Sequence, residues 1–216
     1  VTGTVIVELL KRGLDARAVD GGDRLAERLA DYLALLERWN RSYNLTAVRD
    51  PVAMVSRHIF DSLAIDDWVS GPRVADVGTG AGLPGIPLAL LRPADHFTLI
   101  DAAGKRTRFV RHAIARLGLE NVDVVQARVE EYDPGPGFDT VVSRAFAAVG
   151  DFVAAAGHLR GTGGGLLAMK GAFPTEELVD LPDGWHVRMA GRVSVTGLDA
   201  ERHAVLLTGP EMDASA

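Results

Sequence analysis

The feature that most constrains the fold is a glycine cluster, DVGTGAGLPG at 76–85, which closes one short apolar run (RVADVG, 73–78) and opens onto another (IPLALL, 86–91). Glycines where a strand meets a helix let the backbone turn tightly and approach a ligand closely. The helix beyond offers unpaired N–H groups at its start. Similar short apolar runs recur as HFTLID (96–101), VDVVQA (122–127), FDTVVS (138–143) and GLLAMK (165–170). Helical segments fall between them at about 84–92, 104–117 and 147–159. Strands alternating with helices predict an α/β fold built on a parallel, doubly wound sheet. WHVRMAGRVSV (185–195) and RHAVLLT (202–208) have no helix between them and predict an antiparallel pair closing that sheet.

Upstream the texture is helical. Residues 1–22 are weakly patterned, and Asp23 reads as a helix N-cap. Leu25, Leu29, Leu33, Leu36 and Trp39 then form one apolar stripe over 23–39. The turn-rich stretch 39–51 ends in Asp50-Pro51, a cap followed by proline at the first helical position. A second helix is expected over 51–65, with Val52, Val55, Ile59 and Leu63 on its buried side. Gly71-Pro72 marks the junction. The expected organisation is a helical appendage over 1–70, a core domain over 71–209 and a disordered tail over 210–216.

With 216 residues, 47% of them hydrophobic, the chain is long enough for a real core. It has no cysteine, which excludes disulfides, thiolate metal sites and a cysteine nucleophile. No apolar run approaches the roughly 20 residues a membrane span needs. The start, VTGTVIVELLKRG, lacks a basic leader, although its first residue is Val rather than Met. A cytoplasmic protein is expected, with no membrane partner and no metal. The net charge of −6 excludes a uniformly basic nucleic-acid binder but not a local basic patch.

Two templates compete for the glycine cluster. Gly80, Gly82 and Gly85 satisfy the dinucleotide fingerprint G-x-G-x-x-G. Asp76, Gly78, Gly80 and Gly82 satisfy acid-x-G-x-G-x-G, which resembles motif I of the Rossmann-like S-adenosylmethionine-dependent methyltransferases. The second is favoured. Asp76 stands where the first expects an apolar residue, and the methyltransferase pattern uses such an acid to hold the loop and the methionine amino group. Pro84 and Pro87 remove two N–H donors that a pyrophosphate would want. The closing antiparallel strands also match the methyltransferase sheet. Asp101, at the end of the second strand, can accept hydrogen bonds from both ribose hydroxyls of an adenosine. Val129 and Glu130 follow the third strand, within reach of the adenine.

Cations concentrate in two places. Lys105, Arg106, Arg108, Arg111, His112 and Arg116 lie on one predicted helix, with Phe109, Ala113 and Leu117 on its buried side. That row is either a phosphate-binding face or the solvated side of an amphipathic helix. Arg38, Arg41, Arg49, Arg57 and His58 surround the appendage near Trp39 and Tyr43, rings that can stack on bases if exposed. Together the clusters suggest RNA. Arg144 and Lys170 end the fourth and fifth strands, over the cofactor edge of the sheet, where each can meet a cofactor carboxylate, a substrate phosphate, a base or a structural carboxylate. No P-loop, H-E-x-x-H or G-x-S-x-G occurs. No Asp-Pro-Pro-Tyr-like motif follows the fourth strand.

RWNRSYNLTAVRD (38–50), RHIFDSL (57–63), DVGTGAGLPGIPLA (76–89), TLIDAAGKRTRF (98–109), ARVEEY (127–132), VVSRAF (141–146) and LLAMKG (166–171) together resemble the bacterial small-subunit rRNA guanine-N7 methyltransferases, also called the glucose-inhibited division protein B family. The resemblance implies a Rossmann-like methyltransferase fold, S-adenosyl-L-methionine as cofactor and a guanine of 16S rRNA, free or in the small ribosomal subunit, as substrate. Carried over by motif, it implies that Gly78, Leu83, Val129, Glu130 and Arg144 bind the cofactor, beside Gly80 and Asp101 from the reading above. Ala102-Ala103 depart from the polar residue the family often has there. Asn44, Arg57, Lys105, Arg106 and Lys170 are the expected substrate contacts. Guanine N7 carries a lone pair and no proton, so no general base is expected and no catalytic residue is assigned. Asn44 and Asp61 are candidates for stabilising the cationic product. Other readings are a small-molecule methyltransferase, a non-catalytic cofactor-binding regulator and, most distantly, a nicotinamide-dependent dehydrogenase.

Overall fold

The structure, a computed structural model, describes residues 3–19 and 21–210. Of the expected tail only Pro210 is included; 211–216 lie outside the described residues. Seven strands form one sheet: β1 (Arg73–Val77), β2 (His96–Ile100), β3 (Val122–Val125), β4 (Phe138–Ser143), β5 (Arg160–Lys170), β6 (His186–Arg192) and β7 (His203–Thr208). Their order is β3-β2-β1-β4-β5-β7-β6. The first five run parallel, and β7 lies antiparallel between β5 and β6. The closing pair is therefore as expected. Chain order reverses between β1 and β4, and the carboxyl ends of strands at such a point are where open α/β sheets hold ligands.

Burial alternates along the strands as a pleat requires. Val74, Leu99, Val142 and Leu167 face one core, while Val77, Ile100, Val141 and Leu166 face the other. The second core is covered by α7 (Val149–Ala156) through Phe152 and Val153. Over the first core lie α5 (Gly85–Leu91) and α6 (Gly104–Leu117), together with the N-terminal helices.

Those N-terminal helices correct several expectations. The weakly patterned start forms α1 (Gly3–Asp15), burying Ile6, Leu10 and Leu14 at four-residue spacing. The next helix, α2 (Gly22–Tyr43), is capped by Gly21 in the left-handed region (φ 69°), not by Asp23. Asp23 instead pairs with Lys11 at 2.9 Å. The third begins as predicted: Asp50 accepts from the N–H groups of Val52 and Ala53, with Pro51 opening α3 (Pro51–Met54). It then widens into a π-helical stretch, Val55–Phe60, before α4 (Asp61–Leu63). Val55, Ile59 and Leu63 are buried as expected, but Val52, in the first turn, is 38% exposed. Ile6, Leu29 and Ile59 share one continuous apolar cluster with Val74, Leu99 and Phe109.

Gly85 sits where α5 crosses the sheet. A Cβ there would run into the Leu99 side chain and lie 2.8 Å from Asp76 Oδ2. This packing explains the third glycine of the dinucleotide fingerprint without a ligand. Gly85→Ala should lower stability by about 1–3 kcal/mol through overpacking, read from the midpoint of urea unfolding.

Candidate active site

The loop after β1 turns through three left-handed glycines, Gly78 (φ 68°), Gly80 (φ 59°) and Gly82 (φ 88°). It is tethered from several sides. Asp76 Oδ2 accepts from Thr79 Oγ1 at 2.6 Å and from the Gly85 N–H at 2.9 Å. The N–H groups of Gly78 and Thr79 donate to the Ile100 carbonyl at the end of β2. Gly80 N–H donates to Asp101 Oδ2 at 2.9 Å. From the helical layer, the buried Tyr32 hydroxyl donates to the Ala81 carbonyl at 2.7 Å.

Asp76 is fully buried and lines none of the described cavities. It holds the loop through Oδ2. Burial pushes its carboxyl up to about 6, against the two hydrogen bonds that favour the charged form. Its second oxygen, Oδ1, is buried with no partner.

Asp101 is also buried, with Oδ1 accepting from the Ala103 N–H at 2.8 Å and Arg106 approaching Oδ2 at 3.4 Å. A cleft of ≈ 220 Å³ opens beside it, lined by Gly78, Arg106, Val129, Glu130 and Phe146 among others. A second, of ≈ 340 Å³, is lined by Leu45, Thr46, Gly80, Leu83 and Arg144. The two share Gly78, Arg106 and Ala145. All seven residues expected at the cofactor thus line two adjoining clefts.

Arg144 is also a wall of a third cavity, of ≈ 390 Å³, which takes in Arg57, His58, Asp61, Lys170, Arg202 and His203. Here the Asp61 carboxylate lies between two guanidinium groups. Arg144 Nη1 reaches Oδ2 at 3.2 Å, and Arg202 Nε reaches Oδ1 at 2.6 Å. Lys170 is tied to Glu177 at 2.8 Å and to the Ala147 carbonyl, so it has the structural carboxylate weighed for it.

Of the expected substrate contacts, Arg57 and Lys170 line this cavity, whereas Arg106 lines the two loop-side clefts. Lys105 is exposed and lines none of the three. Asn44 is likewise outside them; it ends α2 in the left-handed region and accepts from Arg49 Nη2 at 3.0 Å. Arg202 and His203 went unnoticed in the sequence. The signal used for Arg144 and Lys170 was available: an antiparallel strand begins at the edge where parallel strands end, so cations opening β7 reach the same edge.

His58 is buried, with both ring nitrogens engaged. Nδ1–H donates to the Arg57 carbonyl at 3.0 Å, which leaves Nε2 to accept from Thr46 Oγ1 at 2.8 Å. Thr46 Oγ1 in turn accepts from the Val48 N–H. Burial, reinforced by the nearby Arg144 charge, lowers its pKa from 6.5 to about 4. Between these values the unfolded chain binds a proton that the native chain refuses, so this group makes stability fall as pH drops from about 6.5 to about 4. Asp76, shifted the other way, makes stability rise over part of that window. The parent minus His58→Gln difference isolates the histidine. It should shrink by roughly 2–3 kcal/mol between pH 7 and pH 4 in urea unfolding.

The model of the GidB family, described as rRNA small subunit methyltransferase G, matches residues 25–205. A ribosomal RNA small subunit methyltransferase G from Stenotrophomonas maltophilia (strain K279a) is 47% identical over 205 residues, covering 95% of this chain and 96% of that protein. One from Xanthomonas oryzae pv. oryzae (strain KACC10331 / KXO85) is 48% identical over 198 residues, covering 92% of each. Among solved structures, a SAM dependent methyltransferase from Aquifex aeolicus shares the fold, with a TM-score of 0.55, 18% identity and coverage of 73% of this chain and 93% of that one. Sequence, sheet order and the glycine loop agree: this chain belongs to the GidB family, rRNA small subunit methyltransferase G.

Proposed function

We propose that the chain transfers a methyl group from S-adenosyl-L-methionine to N7 of a guanine in 16S rRNA. The observation that carries this reading is Arg144, one side chain that walls one of the two adjoining clefts beside the glycine loop and also a larger cavity rich in cations. The first pair suits an adenosine-bearing cofactor, and the other an anionic polynucleotide.

The residues present fit the cofactor. Asp101 is a buried acceptor whose contact with Arg106 is long enough, at 3.4 Å, to yield to ribose hydroxyls. Gly78 keeps the cleft floor low, since a Cβ there would lie 2.7 Å from Ala145 Cβ. Val129 and Glu130 flank the space for the adenine, and Leu83 adds apolar wall on the loop side. When bound, S-adenosylmethionine supplies a methyl carbon made electrophilic by its sulfonium.

The chain's own task is then placement. Met169, Val193 and Val195 give the larger cavity an apolar side that excludes water, while Arg57 and Arg202 face the phosphodiester. No proton leaves N7, so the lack of a free general base costs nothing. His58, neutral and doubly engaged, is not asked to be one. Methylation makes the purine cationic, and Asp61 is the carboxylate at hand to oppose that charge. In-line positioning of acceptor and methyl group supplies the remainder of the rate.

Among the described residues no helix is long and apolar enough to cross a membrane, and no cluster of three metal-ligating side chains occurs.

The deciding experiment is transfer of radiolabelled methyl groups to small-subunit RNA and to small-subunit particles, with mapping of the modified atom. Label at guanine N7 is expected; label at any other atom, or none on either substrate, overturns the reading. Asp101→Asn should weaken S-adenosylmethionine binding by about 1–3 kcal/mol in calorimetry, through lost charge-assisted hydrogen bonds. Arg144→Ala should reduce methylation, measured as kcat/KM.

A further inference from the structure

Over its fourteen residues α6 carries Lys105, Arg106, Arg108, Arg111 and Arg116 and no acid. Among the described residues only Arg106 of this row forms an ion pair, with Asp101. Arg108 and Arg116 are exposed. In a chain of net charge −6, an uncompensated row of cations is a place where an anion binds.

Aromatic rings lie beside that row. Trp39 stacks on Tyr43 with ring centroids 5.1 Å apart and an interplanar angle of 29°. It also meets His112 of α6 at 5.1 Å. Tyr43 is 36% exposed. Helices α2 and α6 pack side by side in opposite directions: Arg28 reaches the Leu117 carbonyl, while Trp39 meets Phe109. The exposed ring therefore lies toward the first turns of α6. Just beyond it, Leu45 and Thr46 line the same cleft as Arg106. The patch leads directly to the candidate active site.

We infer that Tyr43, backed by Trp39, which itself meets His112, and with the exposed Arg108 of the first turns of α6 on its side, is a base-stacking platform for single-stranded RNA adjoining the methylated nucleotide. The inference rests on the rRNA reading above. A single strand fits because it offers phosphates and a free base face together, whereas a duplex hides its base faces. An acidic protein would engage the cations but has no need of the ring. A membrane surface would need more apolar contact, and α6 exposes no large hydrophobic side chain. The stack on Trp39 also holds the Tyr43 ring in place before RNA arrives, which lowers the ordering cost of binding.

The test is fluorescence anisotropy on the full chain with labelled oligoadenylate of about 12 nucleotides and a duplex of equal length. The single strand should bind more tightly than the duplex. Tyr43→Leu, which keeps apolar cover for Trp39, should weaken the single strand by about 5- to 50-fold, while Tyr43→Phe stays within about twofold. Arg108→Gln should lower the slope of log affinity against log salt by about 0.7. S-adenosylmethionine affinity should be unchanged in all three variants, and Tyr43→Leu should raise KM for small-subunit RNA more than it lowers kcat. A Tyr43→Leu chain that binds the single strand as its parent does overturns the platform, as does equal affinity for the duplex. Should the parent methylate rRNA while Tyr43→Leu is indifferent, the platform falls and the proposed function stands. A parent that neither binds nor methylates RNA overturns both.

Discussion

One buried oxygen organises the site. Asp76 Oδ2 ties the start of the glycine loop, through Thr79, and its exit into α5, through the Gly85 N–H, to the same point on β1. Inside a protein such bonds are stronger than in water, and leaving them unmade is correspondingly costly. The cost of the arrangement is visible in the carboxyl itself, which burial drives up to about 6 despite both donors. With the loop pinned at its base, the remaining tethers shape its outer part. β2 holds it through the Ile100 carbonyl and Asp101, and α2 through Tyr32. The clefts that line up beside the loop depend on this closure from several elements.

Charge divides the candidate active site. On the loop side, the Asp101 carboxylate presents an acceptor with Glu130 nearby. Beyond Arg144, Asp61 stands among Arg57, Arg144 and Arg202 with His58 kept neutral, so the cavity is net cationic. Burying a carboxylate alone would be prohibitive, and two guanidinium partners make it tolerable. The surplus positive charge is what a polyanionic substrate meets. An acceptor atom that loses no proton suits such a site, because it asks for alignment and charge placement and not for a base.

Much of this was legible before the structure. The helix expected over 104–117 is α6, Asp50-Pro51 caps as predicted, and the runs expected to be strands are β1 to β7. α1 was missed because Val5, Val7 and Leu9 alternate with its buried Ile6, Leu10 and Leu14, which blurs the helical period. Asp23 looked like a cap, yet a left-handed glycine two residues earlier starts the helix and frees the aspartate for Lys11. Val52 continued a valid stripe but stands in the opening turn, where the core no longer covers it.

The sequence alone determined the glycine loop, its acid Asp76, the acceptor Asp101 and the run of strands that presents them. These are local matters, because left-handed backbone, capping and two-residue burial periods are decided by neighbours along the chain. Only the tertiary structure decided that Asp61 lies between Arg144 and Arg202, 83 and 141 residues away, and that Tyr32 reaches the loop across 49. It also brought Trp39, on which Tyr43 stacks, to His112. Such meetings follow from strand order and from which face of the sheet each helix covers, and no local periodicity encodes either.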